Sequence, residues 1–280
     1  VLPVMAFIPP AKSWPPWLEA TVAGLLALGL YLATLQVALH GTDWRWLLLW
    51  AGEPQTVHPQ HPGYLPLARW LAAVLQPCGL TLPQVLQVYS ALGGAVAVAG
   101  GYLAGFALHG DRVLARTAAL LVAVLPAWWH FATVIELHGP FLGLASVAIA
   151  GGVHALSRPV LAGWRWFGGT GALLGAATLV HATGHLMVPA MGLAVLWALR
   201  SHPWRERLLP AAWLVLGHGL VYGAGFLLLR ATGTLPASVT AFAEHAPDDL
   251  AAPDHPLAYL ARWWRDMEFG AQWWPTLWVE

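Results

Sequence analysis

Apolar runs of about 20 residues recur along the chain, and no other feature narrows the choice of fold so far. A helix needs about 20 such residues to cross a hydrocarbon layer, because backbone N–H and C=O groups cannot be left unpaired there. Seven runs are readable, near residues 17–39, 83–108, 114–133, 139–156, 167–181, 184–199 and 208–229. The predicted fold class is therefore all-α: a polytopic transmembrane helical bundle of about seven spans. The third and fourth runs are separated by His138, Gly139 and Pro140, and the fifth and sixth by the polar stretch His181-Ala182-Thr183-Gly184-His185. Composition agrees, with 58% hydrophobic and 9% charged residues, where soluble domains carry about a quarter charged.

Thirteen Lys plus Arg balance thirteen Asp plus Glu, so no basic field exists to recruit nucleic acid. Cys78 stands alone, which excludes an internal disulfide framework, a CxxC redox pair and a thiolate-rich metal site.

Orientation follows the placement of Lys and Arg. With the N-terminus cytoplasmic, eight basic residues, among them Lys12, Arg112, Arg116, Arg200 and Arg205, fall inside and five fall outside. The chain then divides into a cytoplasmic segment 1–16, a seven-span module 17–230 that includes a first outer loop 40–82, and an outer loop with an interfacial helix at 231–280. Within the first loop, Tyr64 to Leu75 reads as an amphipathic helix lying in the membrane interface. The prolines around Lys12 interrupt the apolar region a signal peptide needs, so the first span is expected to serve as the targeting signal. Trp14, Trp17, Trp128, Trp129, Trp164, Trp166 and Trp204 sit at expected span ends, where the headgroup layer suits an amphipathic ring. The pairs Gly101/Gly105, Gly139/Gly143 and Gly171/Gly175 have the four-residue spacing that lets helices approach closely in lipid.

Chemistry-bearing residues concentrate on the expected outer side. Asp43 follows the first span in Gly41-Thr42-Asp43-Trp44-Arg45, with Glu53 and then His58-Pro59-Gln60-His61-Pro62-Gly63-Tyr64 downstream. An acid at the mouth of a transmembrane helix suits a general base that takes a proton from a hydroxyl and whose charge favours a developing oxocarbenium ion. An ordinary solvated loop acid is the competing reading. Glu136 lies between two short spans, where an ionised group usually faces a polar cavity or a partner; it is expected to hold either the metal of a donor phosphate or a cation such as Arg45. His181 and His185, four apart, are compatible with ligation of a metal or tetrapyrrole and equally with hydrogen bonding between helices. Arg69 and Arg230 are candidates for a lipid phosphate, since guanidinium matches phosphate geometry.

The order of these features resembles the bacterial protein O-mannosyltransferase-like membrane proteins of the GT-C glycosyltransferase superfamily. The segment His61-Pro62-Gly63-Tyr64-Leu65-Pro66-Leu67 is similar to that family's His-Pro-Pro-Gly-Tyr-Pro-Leu motif, Ala132 to His138 to its Glu-Val-Tyr segment, and Ala177 to Met187 with Pro189-Ala190 to its His-containing helix. The resemblance spans roughly residues 17–270. It implies a seven-helix module in a bacterial inner (cytoplasmic) membrane, with a polyprenyl-phosphate sugar as donor substrate and transfer on the extracytoplasmic face. Asp43 matches the family's catalytic acid by position, and His58 and His61 fall in the loop that shapes the donor site, with Glu53, Tyr64, Glu136 and His181 beside it. A divalent metal is an open cofactor expectation. The family's acid is followed by a small residue, Gly and a second acid, whereas Asp43 is followed by Trp44, Arg45 and Trp46, and the helices beyond the seven-helix module are missing. The alternative expectation is therefore a shortened, non-catalytic subunit that scaffolds other membrane protein subunits in a larger complex. Membrane lipids are partners under either reading.

Overall fold

The computed structural model describes residues 14–36, 43–53, 61–157 and 160–233, with the backbone alone at 43 and 160–163. The chain divides into the units Val1–Leu235 and Pro236–Glu280. The expected outer segment beyond Gly233 lies outside the described residues.

Ten α-helices and no strand occur among the described residues: α1 Pro16–Ala33, α2 Asp43–Gly52, α3 Tyr64–Leu75, α4 Leu82–His109, α5 Arg112–Val124, α6 Pro126–Thr133, α7 His138–Leu156, α8 Val160–Val180, α9 Gly184–Ala198 and α10 Trp204–Ala231. Four of them, α1, α4, α7 and α10, are long and apolar enough to cross a membrane, and the bent pair α5–α6 makes a fifth if it counts as one span. The chain is thus a helical membrane bundle. Helices stand at all seven predicted places, with α8 beginning at Val160 rather than at 167 and α1 ending at Ala33 rather than at 39.

Two local differences from expectation have clear causes. The run 114–133 is not one helix: α5 and α6 meet at 59°. Leu125 takes an extended conformation, φ −63° and ψ 126°, because Pro126 has no N–H to give and crowds the residue before it out of the helical region. The stretch 40–82, expected as an outer loop, also contains a helix not anticipated there, α2, with Asp43 as its first residue.

α4 is the central element, packed against α1, α5, α6 and α7, while α7 leans on α8 and α8 on α9 and α10. The glycine pairs make these crossings. A Cβ at Gly143 would lie 2.6 Å from the Gly93 carbonyl oxygen of α4, and one at Gly175 would lie 2.7 Å from the His218 carbonyl oxygen of α10. No side chain fits, and the backbones touch directly. Gly101 and Gly105 face α5 less closely: a Cβ there would meet the Val122 side chain at 3.1 Å, and Ala115 Cα and Ala118 Cβ at 3.2 Å. Between α4 and α5 the chain turns at Gly110, whose φ of 66° is a left-handed conformation suited to glycine, and Asp111 then caps α5 by accepting from the N–H groups of Val113 and Leu114.

α3 matches its expected range to the residue. Tyr64, Leu65, Ala68 and Ala72 are buried, while Leu67, Trp70 and Val74 are exposed on the other side. That second apolar face suits the membrane interface. Trp14, Trp17, Trp166 and Trp204 are exposed, as anchoring rings should be, whereas Trp129 packs edge-on against Tyr31 at 6.1 Å between ring centroids.

Candidate functional site

One end of the bundle collects the C-terminal ends of α1, α6 and α8 and the N-terminal ends of α3, α4, α7 and α9. The connection after α1 is held there by Gln36, whose backbone N–H donates to the Thr133 carbonyl at 3.2 Å and whose own carbonyl accepts from Gln87 Nε2 at 2.8 Å.

The His-Pro-Gly-Tyr turn that opens α3 docks on the end of α8. Gly63 N–H donates to the Leu179 carbonyl at 2.7 Å, and a Cβ on Gly63 would fall 3.0 Å from Leu179 Cβ and 3.1 Å from its carbonyl oxygen. Glycine suits this close approach, since a Cβ would press on Leu179. The turn carries His61 onto His181, with ring centroids 4.6 Å apart. His181 in turn lies 5.1 Å from the His138 ring and 5.3 Å from Phe141. Its Nδ1 accepts the Thr183 N–H at 3.1 Å, which leaves Nε2 as the protonated nitrogen of the neutral ring.

Glu136 is fixed in the short extended link before α7. Ser90 Oγ donates to its carbonyl at 2.9 Å and accepts from its N–H at 3.2 Å. Its carboxylate oxygen Oε2 accepts the Leu137 N–H at 3.0 Å and faces His138 Nδ1 at 2.8 Å. The expectation of Arg45 as partner is corrected: His138 takes that place, and Arg45 instead covers the Trp44 ring at 5.4 Å. No three His, Cys, Asp or Glu side chains converge as a metal-ligand set among the described residues.

Tyr64 lies beneath this cluster, fully buried, with its ring 5.2 Å from that of Tyr89. Its hydroxyl has no hydrogen-bond partner among the described residues. Burial pushes the Tyr64 phenol well above its usual range, and the negative charges available to Tyr89 and Glu136 push it the same way.

The remaining sequence candidates fall around this core. Asp43 opens α2, and Leu47, one turn on, belongs to the same apolar cluster as Tyr64, Ile135, Phe141 and Val180. Its own side chain, and the whole of His58, lie outside the described residues. Glu53 is exposed just past the end of α2. Arg69 spends its NH2 group on α2, donating to the Trp50 carbonyl at 2.7 Å and to the Glu53 carbonyl, so it caps that helix end. Burial lowers its guanidinium from the usual value, with the nearby Glu53 charge opposing. Arg230 is in the last turn of α10, about 8 Å along the helix from Gly225, which packs on Leu179. It therefore belongs to the same end of the bundle as His181. His185 does not join the His61 cluster; it packs on His218 and Tyr222 of α10 at 5.4 and 4.7 Å between ring centroids.

Comparison with protein-family models, with curated proteins and with solved structures finds no match. The chemistry must be read from the side chains. An imidazole whose Nδ1 is held by a carboxylate presents Nε2 as a proton acceptor or a hydrogen-bond partner. His138 is in that arrangement, with side-chain exposure of 36% against 15% for Glu136, so it is the more accessible member. In the sequence His138 reads as a span breaker and as the last residue of the segment 132–138; a carboxylate two residues before a histidine at a helix start is the signal for the pair.

Proposed function

We propose that this chain is a membrane-embedded glycosyltransferase of the GT-C kind, transferring a sugar from a polyprenyl phosphate to an acceptor hydroxyl. Seven helical segments cross the bilayer of a bacterial inner membrane in this reading, with the N-terminus cytoplasmic and the His61–Glu136–His181 end outside. The observation that carries it is convergence: three segments far apart in sequence, 61–64, 136–138 and 181, meet at one end of the bundle, and these are the segments on which the family resemblance rests. In this mechanism Asp43 takes the proton of the acceptor hydroxyl as its oxygen bonds to the anomeric carbon and the bond to phosphate breaks. The imidazoles hydrogen-bond the sugar, and Arg230 holds the departing polyprenyl phosphate.

A second reading, a non-catalytic subunit, draws on α10, where only 11% of the apolar window is buried within the chain and a long face is open to a partner helix. One experiment separates the two. The protein is purified in mild detergent, and the intact particle is weighed by mass spectrometry with and without added polyprenyl-phosphate mannose. Bound glycolipid, reduced by His61→Ala, together with sugar transfer abolished by Asp43→Asn, supports the transferase; a stoichiometric protein complex that neither binds nor turns over the glycolipid supports the subunit.

A further inference from the structure

The opposite end of the bundle holds a second feature, which does not depend on sugar transfer. α1 and α5 both pack on α4 and leave between them a lateral groove of about 660 Å3. Val98 and Tyr102 of α4 form its floor, small residues such as Ala23 and Ala119 its walls, and the exposed side chains of Leu26 and Leu120 its rims. On α1 the lining runs from Glu19 to Leu30, about 16 Å at 1.5 Å per residue, which is about the depth of one leaflet of a hydrocarbon core about 30 Å thick. Tyr31 closes the deep end, its hydroxyl donating across to the Ala123 carbonyl at 3.1 Å.

The shallow end is charged. The Glu19 carboxylate accepts from Arg112, from Arg116 at 2.9 Å and from the Tyr102 hydroxyl at 2.7 Å. Asp111, the other acid nearby, is engaged with the first N–H groups of α5. Two guanidinium groups therefore face one carboxylate inside the groove, leaving one net positive charge, and the Arg116 side chain is 63% exposed.

We infer that this groove is a binding site for one anionic phospholipid, with an acyl chain along the apolar lining and the phosphate against Arg112 and Arg116. Length, apolarity and charge each select the same ligand. The lining spans a single leaflet, its walls hold no polar side chain between Glu19 and Tyr31, and the positive end sits where a headgroup would be. Guanidinium groups already oriented by Glu19 lose little freedom on meeting a phosphate. Glu19 competes with the phosphate for the same donors, so the site discriminates by charge without closing permanently.

The test uses the full chain in neutral detergent with equimolar phosphatidylglycerol and phosphatidylcholine, counting retained lipids by mass spectrometry of the intact particle. One phosphatidylglycerol is expected to be retained in preference to phosphatidylcholine. Arg116→Gln should reduce that preference about fivefold. Glu19→Gln should increase it, and Ala23→Phe, which fills the groove, should reduce retention of both lipids. Arg200→Gln, at an exposed arginine of the same bundle end, should change nothing. Equal retention of the two lipids, or Arg116→Gln and Glu19→Gln both lowering the preference, would overturn the site and leave the charges a purely structural role. Polyprenyl phosphate displacing phosphatidylglycerol when added at equal concentration would overturn the assignment to a phospholipid. Elution as a single monodisperse peak shows that each variant has folded.

Discussion

His138 Nδ1 lies 2.8 Å from Glu136 Oε2, and the same carboxylate oxygen accepts the Leu137 N–H at the start of α7. The acid sits at the positive end of a helix dipole, and the imidazole stacks on Phe131 at 4.7 Å, with the His181 ring tilted by 40° from it at 5.1 Å. A ring stacked on one neighbour and held at one nitrogen has few orientations open to it. Glu136→Gln keeps an acceptor but removes the charge that orients the ring, so the proposed sugar transfer should fall by about 100-fold with the thermal unfolding midpoint nearly unchanged. A full rate in that variant, measured with polyprenyl-phosphate mannose, would take the pair out of the mechanism.

Tyr64 makes the opposite kind of prediction. Its hydroxyl is buried without a partner among the described residues, so Tyr64→Phe should leave the protein as stable or more stable by about 1 kcal/mol near neutral pH. Because burial raises the phenol above its unfolded value of about 10, the folded chain keeps this proton where the unfolded chain releases it. That contribution is fully present below pH about 10 and is lost as pH rises further. Wild type should therefore lose stability more steeply than Tyr64→Phe in thermal unfolding between pH about 9 and 11.

Legibility followed the range of the interaction. α3 was readable to the residue, since Tyr64, Leu65, Ala68 and Ala72 repeat at helical spacing behind a glycine. The glycine pairs announced close helix crossings because only their own spacing was needed. The bend at Pro126 is equally local, but the apolar run 114–133 outweighs a single proline. α2 was hidden by its length of 10 residues, short for a span and flanked by polar loop sequence. Glu19 was invisible as a site: at the edge of an apolar run it looks like an ordinary flanking charge, and its partners lie 83 to 97 residues away. The convergence of His61, His138 and His181 was legible only through the order of motifs, since no periodicity links residues so far apart.

The glycine crossings can be weighed against an internal control. A Cβ on Gly143 meets the Gly93 carbonyl oxygen at 2.6 Å, a backbone atom that cannot turn aside, while a Cβ on Gly29 meets nothing within 4 Å. Gly143→Ala should cost about 1–3 kcal/mol through forced separation of α4 and α7. Gly29→Ala should stabilise α1 by about 0.5–1 kcal/mol, since alanine gives up less backbone freedom. Thermal unfolding in detergent compares them directly, and equal effects at the two sites would mean that α4 and α7 do not touch through their backbones.

Glu19 joins three helices through one carboxylate: its own α1, α4 through Tyr102, and α5 through Arg112 and Arg116. Glu19 is 11% exposed at its side chain, Arg112 28% and Arg116 63%, so the Arg116 pair is largely screened and adds little. The Arg112 pair and the Tyr102 hydrogen bond carry most of the effect. Glu19→Ala leaves a half-buried guanidinium and a hydroxyl without their acceptor, and should cost about 2 kcal/mol. Arg116→Ala should cost well under half of that. The ordering of the two variants is the measurement: if Arg116→Ala destabilises as much as Glu19→Ala, the exposed pair rather than the buried one holds α5 to α1. Added salt provides a second check, because it should erase the Arg116 contribution and leave most of the Glu19 contribution in place.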